Sequence, residues 1–256
     1  MLDRNKILIL LVFNLWAALC NAQFRVWRVD TRSPEEMAEA GAFTPWGTSF
    51  VLDVVANISM YDHATGELTV GGQGPDGRDD DGYVSTTADE ARARNYLMTR
   101  FQGTGYIYEV AAAANFIQVQ GTLGQFTPHA AEAEYAALGG FSWDQVIRWR
   151  QYVRGRELGG LQDNQRYMGD VYNRLRPNNG QPSLAGFPPD HEAWGLSPWN
   201  AFARALGGAG GAGCGGNGRR RRSLDSRQDS CEPIIDNESA AQRFIDENCW
   251  AVANCG

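Results

Sequence analysis

The sequence predicts an α+β fold, on three observations. Segments that alternate apolar and polar side chains, FRVWRV at residues 24–29 and VIRWRQYV at 146–153, read as strands. Between them lie short stretches with helix-start chemistry, such as Ser33-Pro34-Glu35-Glu36. Strands and helices then follow one another in no regular strand–helix–strand order. No glycine-rich fingerprint follows a strand, which argues against a dinucleotide fold of the Rossmann type.

The elements are justified in chain order. Residues 1–22 read as a secretory signal peptide. Arg4 and Lys6 supply a charged start, residues 7–19 are nearly continuously apolar, and Asn21-Ala22 offers a small residue at the cut. The apolar run is short for a membrane span, and no later stretch could cross a bilayer. Gln23 is then the mature start. Residues 24–29 form a strand in which Val26 and Arg28 share a face. Ser33 is an N-cap, Pro34 occupies the first helical position, Glu36 completes a capping box and Gly41 ends the helix.

Residues 66–82, GELTVGGQGPDGRDDDG, read as a mobile surface loop. The spacing of Asp76, Asp79, Asp80 and Asp81 does not fit a helix–loop–helix calcium site, and no metal ligand set is assigned. Residues 83–86 are a strand. Thr87 and Glu90 suggest a second capping box, opening a helix over 88–101. Residues 106–112 and 116–120 are further strands. Residues 177–199 are rich in proline and aromatics and read as an irregular segment anchored by Phe187, Trp194 and Trp199. Residues 207–218 hold eight glycines and form a linker. Arg219 to Arg222 are a run of four arginines, and residues 239–253 suit a short helix.

Composition narrows the function classes. About 230 residues remain after the signal, enough for one sizeable core. The net charge is −7, and losing Asp3, Arg4 and Lys6 makes it −8, which offers no nucleic-acid face. Of five cysteines, Cys20 leaves with the signal. The other four, Cys214, Cys231, Cys249 and Cys255, fall in the last 43 residues. An even count in a secreted chain predicts disulfides that staple a tail and leave the main core to hydrophobic packing. Lys6 is the only lysine, so the mature chain offers no side-chain amine for ubiquitin attachment. Biased codon usage accounts for that equally well.

Residues 127–140, TPHAAEAEYAALGG, carry the chemistry. Glu132 and Glu134 are separated by one residue. In an extended segment both carboxylates point to one face. Such a pair can stabilise a developing cation or take a proton from a nucleophile. Local propensity favours the opposite reading, an ordinary solvated helix turn rich in alanine and glutamate.

The order of the motifs decides between them. WRVDTRSPEEM, MYDHATG, DDGYVSTT, TPHAAEAEYAALGG and LAGFPPDHEAWGLSPW occur in that sequence over roughly 200 residues. In content and order they resemble the enzymatic A subunits of cholera toxin and heat-labile enterotoxin, the arginine-specific ADP-ribosyltransferase toxins. The resemblance implies an ADP-ribosyltransferase toxin fold, with short mixed or antiparallel sheets around an NAD cleft and an irregular C-terminal tail. It implies NAD as donor substrate and an arginine on a host protein as acceptor, by analogy in a heterotrimeric G-protein α subunit.

In that reaction nicotinamide leaves the ribose and positive charge grows on the sugar, as in glycoside hydrolysis. By position in the resemblance, Glu134 is the carboxylate that stabilises this charge. Glu132 would orient the acceptor guanidinium, which is normally protonated and needs a nearby carboxylate to become nucleophilic. Arg28 would grip the diphosphate through two bonds, with Arg25 and Arg32 as weaker candidates. Ser85 would hold Glu134 in place. His63, Asp30 and Thr86 complete the NAD-binding set that the resemblance implies. Phe116 and Tyr135 read as core. Trp46 and Thr65 depart from the family pattern, each standing where an arginine is expected, which bears on the activation step and not on the reaction class.

The resemblance also implies a Cys214–Cys231 bridge around a loop nicked by a furin-like protease, with cleavage between Arg222 and Ser223. A loop of 16 residues between those cysteines, once closed, would contribute about 3 kcal/mol. Cys249 and Cys255 form a second expected pair. The organisation expected is a signal peptide at 1–22, a catalytic domain at 23–213, a protease-sensitive loop at 214–231 and a short tail at 232–256. Whether a binding subunit docks on that tail is left open. The protein is expected to be secreted and to act in the host cytosol. An NAD glycohydrolase and a non-catalytic secreted interaction protein on the same fold are the competing readings.

Overall fold

The computed structural model describes residues 24–45, 57–66, 81–205 and 233–234. The expected signal peptide, Trp46, most of the aspartate-rich loop, the four tail cysteines, the Arg222–Ser223 cut site and the helix expected at 239–253 lie outside the described residues.

The strands are β1 (Arg25–Asp30), β2 (Ala42–Phe43), β3 (Tyr83–Thr87), β4 (Gly105–Ala111), β5 (Phe116–Gln118), β6 (Glu134–Leu138), β7 (Phe141–Ser142), β8 (Val146–Val153), β9 (Arg156–Asp163), β10 (Arg204–Ala205) and β11 (Pro233–Ile234). The helices are α1 (Pro34–Ala40), α2 (Met60–Thr65), α3 (Glu90–Arg100), α4 (Val119–Leu123) and α5 (Gly169–Tyr172). Seven strands form one sheet in the order β5-β6-β3-β1-β4-β8-β9, every neighbouring pair antiparallel. The expected α+β class is therefore observed. Among the described residues no helix is long and apolar enough to cross a membrane.

Side-chain alternation splits the core. Tyr83, Ala136 and Leu138 pack with Ile117, Leu184, Phe187 and Trp199 on one side. Val84, Tyr135 and Ala137 pack with Val26, Tyr108, Phe116 and Phe141 on the other. A smaller cluster of Val29, Ala93, Leu97, Ile107 and Tyr152 seats α3 on β1 and β4. Phe116 and Tyr135 are core, as expected. The proline-rich segment runs as short 3₁₀ turns, and Phe187, Trp194 and Trp199 are all buried. Phe187 stacks on His191 at 4.5 Å and meets Trp194 and Trp199 edge-on, which ties this irregular chain to the body.

Local chemistry explains where the elements start and stop. Ser33 and Glu36 form the expected reciprocal capping box, and Gly41 closes α1 at φ 77°. A cap of this kind stabilises by about 1 kcal/mol. Three expectations need correction. The cap of α3 is Asp89, whose carboxylate accepts the backbone N–H of Ala91 and Arg92. Thr87 ends β3 instead, and its hydroxyl donates to the Glu132 carbonyl. The strand expected over 116–120 stops at Gln118, because the chain turns into α4 at Val119. β9 has no counterpart among the expected strands: it is exposed throughout and carries Gly159 and Gly160, so it lacks the apolar alternation that marks a strand.

The end of β6 is pinned. Asn115 Nδ2 donates to the carbonyls of Leu138 and Gly140 at 3.0 and 2.8 Å. Gly140 adopts φ +82°, and an added Cβ would lie 1.9 Å from the Phe43 carbonyl oxygen, so only glycine fits this turn.

Candidate active site

Three adjacent strands, β6, β3 and β1, carry the key groups, and α2 lies across them. Glu134 opens β6, paired opposite Thr87. Ser85 sits in mid-β3. β1 and β3 meet at one register pair, Trp27 and Thr87. Beside that junction Arg28 Nη1 donates to the Ser85 carbonyl at 3.0 Å.

Glu132 and Glu134 do not share a strand. Glu132 ends a 3₁₀ turn at Ala130–Glu132, and Ala133 follows in the left-handed region at φ 48°. Same-face geometry from i, i+2 spacing therefore does not hold. The turn leading into a strand is observed, and the helix favoured by local propensity is not. The Glu132 carboxylate is exposed and makes no hydrogen bond or ion pair with the described residues. Glu134 is half-buried, with 16% of its side chain exposed.

His63 is the hub. Met60–Thr65 forms α2, capped by Ser59 and closed by Gly66 at φ 70°, and this helix buries His63. Its Nδ1 lies 2.7 Å from Asp81 Oδ2, and its Nε2 lies 3.1 Å from Glu134 Oε1 and 3.3 Å from Ser85 Oγ. Burial opposes charging of this ring, but Asp81 and Glu134 overcome it and raise its pKa to about 10. His63 is thus an imidazolium at neutral pH, donating from both nitrogens.

The sign of the linkage follows. The folded-state value lies above the ordinary 6.5, so the charged ring stabilises the fold below pH 6.5, and this contribution is lost as pH rises to about 10. Stability is expected to fall between about pH 7 and 9.5, by up to about 1.4 kcal/mol per pH unit from this ring. The slope should flatten in His63→Gln; equal slopes in denaturant titrations of the two proteins would refute it.

Asp30 is buried and held by its own neighbours. It accepts from Arg32 N, Nε and Nη2 at 3.0, 2.9 and 2.7 Å, and lies 3.7 Å from Arg28 Nη2. Burial works against its ionisation, yet these arginines hold its pKa below the ordinary carboxylate value. Burial also lowers the pKa of Arg28, with Asp30 pushing back. Arg28 Nε is buried with no hydrogen-bond partner among the described residues. An unspent donor on a buried guanidinium fits an anionic ligand at this place. Arg25 is paired with Glu109 at 2.6 Å, and Arg32 with Asp30. Thr86 points away from Ser85 and donates to the Tyr135 carbonyl at 2.5 Å, fastening β3 to β6. Thr65 donates to the Tyr61 carbonyl at 2.8 Å within α2.

Asp81 is the residue that sequence reasoning missed. The sequence places it among the loop aspartates, but it is buried, 7% exposed, beside His63. Its one sequence signal is its place two residues before a strand. A small cavity beside Glu134 is lined by Ala64, Val119, Thr127 and Ala130, among others. The Thr127 hydroxyl is buried without a hydrogen-bond partner among the described residues.

This fold is that of the bacterial enterotoxin A chains. A crystal structure of an E. coli heat-labile enterotoxin mutant superposes with TM-score 0.58 at 34% identity, covering 69% of this chain and 96% of that one. A double mutant of heat-labile enterotoxin gives TM-score 0.59 at 35% identity, covering 70% of this chain and 79% of that one. Residues 4–229 match the heat-labile enterotoxin alpha chain family, and the chain belongs to it. Among its relatives, the A chain of heat-labile enterotoxin IIA from Escherichia coli is 37% identical over 206 residues, covering 78% of this chain and 76% of that protein. The enzymatic polypeptide of cholera enterotoxin, its A subunit, from Vibrio cholerae is 34% identical over 231 residues, covering 87% and 81%. The NAD(+)–arginine ADP-ribosyltransferase Chelt from Vibrio cholerae is 36% identical over 228 residues, or 86% of this chain, which spans 35% of the length of Chelt.

Proposed function

We propose that the chain is a secreted toxin that transfers ADP-ribose from NAD to an arginine of a host protein. The observation that carries this reading is the convergence of Glu134, His63, Ser85 and Arg28 on three neighbouring strands and the helix across them, with Arg28 Nε unspent. The name of Chelt states the same reaction for that relative.

Each residue then has a task. Arg28 binds the diphosphate of the donor, and Asp30 and the Ser85 carbonyl hold its guanidinium in place. Glu134 sets a negative charge where the ribose becomes cationic as nicotinamide departs. His63 holds that carboxylate by a charge-assisted bond. Glu132, free at the rim, engages the incoming arginine and accepts its proton. Thr86 acts by fastening β3 to β6.

The finer assignments extend this reading. The acceptor is an arginine on the α polypeptide of a heterotrimeric G protein. A furin-like protease cuts between Arg222 and Ser223 inside a Cys214–Cys231 bridge, reduction releases the catalytic fragment in the host cytosol, and Cys249–Cys255 closes the tail. The absence of lysine after Lys6 suits survival there.

Incubation of nicked, reduced protein with labelled NAD and host-cell lysate tests the reading, with label expected on arginine. Glu132→Ala should lower arginine transfer by about 10²-fold or more while nicotinamide release continues, since proton removal by a positioned base contributes that order. Full arginine transfer in Glu132→Ala would end the acceptor role. Nicotinamide release without labelled protein in the wild type would replace the transferase by an NAD glycohydrolase.

A further inference from the structure

We propose that Asp81 is a positioning residue of the active site: its carboxylate keeps His63 an imidazolium whose Nε2–H is aimed at Glu134, so that Glu134 stays ionised for the reaction. The inference rests on the transferase reading and adds to it a residue that binds neither donor nor acceptor.

The geometry of Asp81 is over-determined. Oδ1 accepts the backbone N–H of Tyr83 at 3.0 Å, and Oδ2 meets His63 Nδ1 at 2.7 Å, so each oxygen has a fixed duty. The backbone beside it is tied down. Gly82 N donates to the Asn57 carbonyl at 2.8 Å, and Asn57 bridges to Asp81. An added Cβ at Gly82 would lie 2.8 Å from that same carbonyl oxygen. Asn57 reaches onward to the helix that carries His63. Its Oδ1 accepts Ser59 N–H at 2.9 Å, and its Nδ2 donates to Asp62 Oδ2 at 3.0 Å. Asp81 and His63 are therefore set by one network that spans the start of β3 and the N-terminus of α2.

The charges call for such a partner. A buried imidazolium is costly unless paired on both nitrogens. The groups facing His63 are Asp81 from the residue before Gly82, Glu134 and the Ser85 hydroxyl from the sheet, and the Tyr83 ring at 5.2 Å. Tyr83 donates its hydroxyl to the Ile58 carbonyl, and burial pushes its pKa far up, so it stays neutral. With Asp81 removed, Glu134 alone would have to keep the ring charged. The ring would then go neutral near pH 7, and Glu134 would lose the positive charge beside it. The two titrations are coupled, so the effect appears as a shift of the pair.

Asp81→Asn separates positioning from packing. The amide keeps the volume and can still accept from Tyr83 N–H, but it carries no charge for His63. Nuclear magnetic resonance of the three histidines resolves His63, identified by its loss in His63→Gln. In the wild type its ring should stay doubly protonated from pH 6 to 9, and in Asp81→Asn it should titrate inside that range. In rate profiles, Asp81→Asn should lower kcat by about 10-fold or more at pH 7, shift the acid limb upward by about one pH unit, and leave KM for NAD within about threefold. Asp81→Glu, which restores the charge, should recover part of the rate and the position of the limb. A wild-type His63 that titrates near pH 6.5 would overturn the proposal even if Asp81→Asn fails to fold. An unchanged kcat profile in a folded Asp81→Asn would overturn it too. Lack of NAD cleavage by the wild type sinks the transferase reading instead, and the ring titration still decides whether Asp81 controls His63.

Discussion

Glu134→Gln is expected to lose ADP-ribose transfer and nicotinamide release together, by about 10²–10³-fold, the usual effect of removing one preorganised electrostatic group from a site. The substitution keeps shape and removes charge. Glutamine can still accept from His63 Nε2, so the contact that joins α2 to β6 survives. The side chain is only half-buried, and the strand around it is held by Tyr135, Ala136, Ala137 and Leu138, all buried. The variant should therefore melt within a few degrees of the wild type. The measurement is release of nicotinamide from NAD under single-turnover conditions, beside transfer of label to acceptor. Activity retained within threefold would remove Glu134 from the assigned role.

The second large effect is expected at Arg28→Lys. Arginine at this position serves several ends at once: Nη1 donates to the Ser85 carbonyl, Nη2 approaches Asp30, and Nε remains for a ligand. A lysine ammonium keeps the charge but is a point on a flexible stem and cannot present that fork. Retaining the charge avoids stranding Asp30, so the fold should persist, whereas truncation to alanine would confuse lost binding with an unpaired buried carboxylate. NAD affinity and kcat/KM should each fall by about 10²-fold, because diphosphate recognition and the placement of β1 against β3 both depend on the guanidinium. Calorimetric titration with NAD gives the first and initial rates the second. Wild-type affinity in a folded Arg28→Lys would show that the diphosphate is held elsewhere.

Legibility in the sequence follows the range of the interactions. α1 is readable in full, because its box, its proline and its closing glycine all act within eight residues of one another. β1 and β8 are readable because each alternates side chains against one neighbour layer. β9 is hidden, since an edge strand exposed along its length has no apolar period to display. At the start of α3, Thr87 and Asp89 are both plausible caps, and a long-range bond from Thr87 to the Glu132 carbonyl decides between them. The site divides along the same line. Glu132, Glu134, Arg28 and Ser85 lie in segments with a recognisable motif. Asp81 stands in a run of aspartates, and only its contacts with a residue 18 positions away and with Asn57 set it apart. Likewise, the separation of Glu132 from Glu134 by a left-handed Ala133 depends on a turn that alanine-rich sequence does not announce.

The pinned end of β6 has a consequence for how the site comes into being. Side chains on a strand alternate, so a slip of one residue between β3 and β6 would exchange the faces of every β6 residue. Glu134 would leave the side of Ser85 and His63, and Tyr135 would take its place. Asn115, gripping the carbonyls of Leu138 and Gly140, and Gly140, too close to Phe43 to admit a side chain, act as the stop against which the strand is seated. They stand at the far end of β6 from Glu134 and touch no reacting group. Alignment of the reactive carboxylate is thus delegated to residues that take no part in the chemistry, and a misregistered sheet could be folded and compact yet inert.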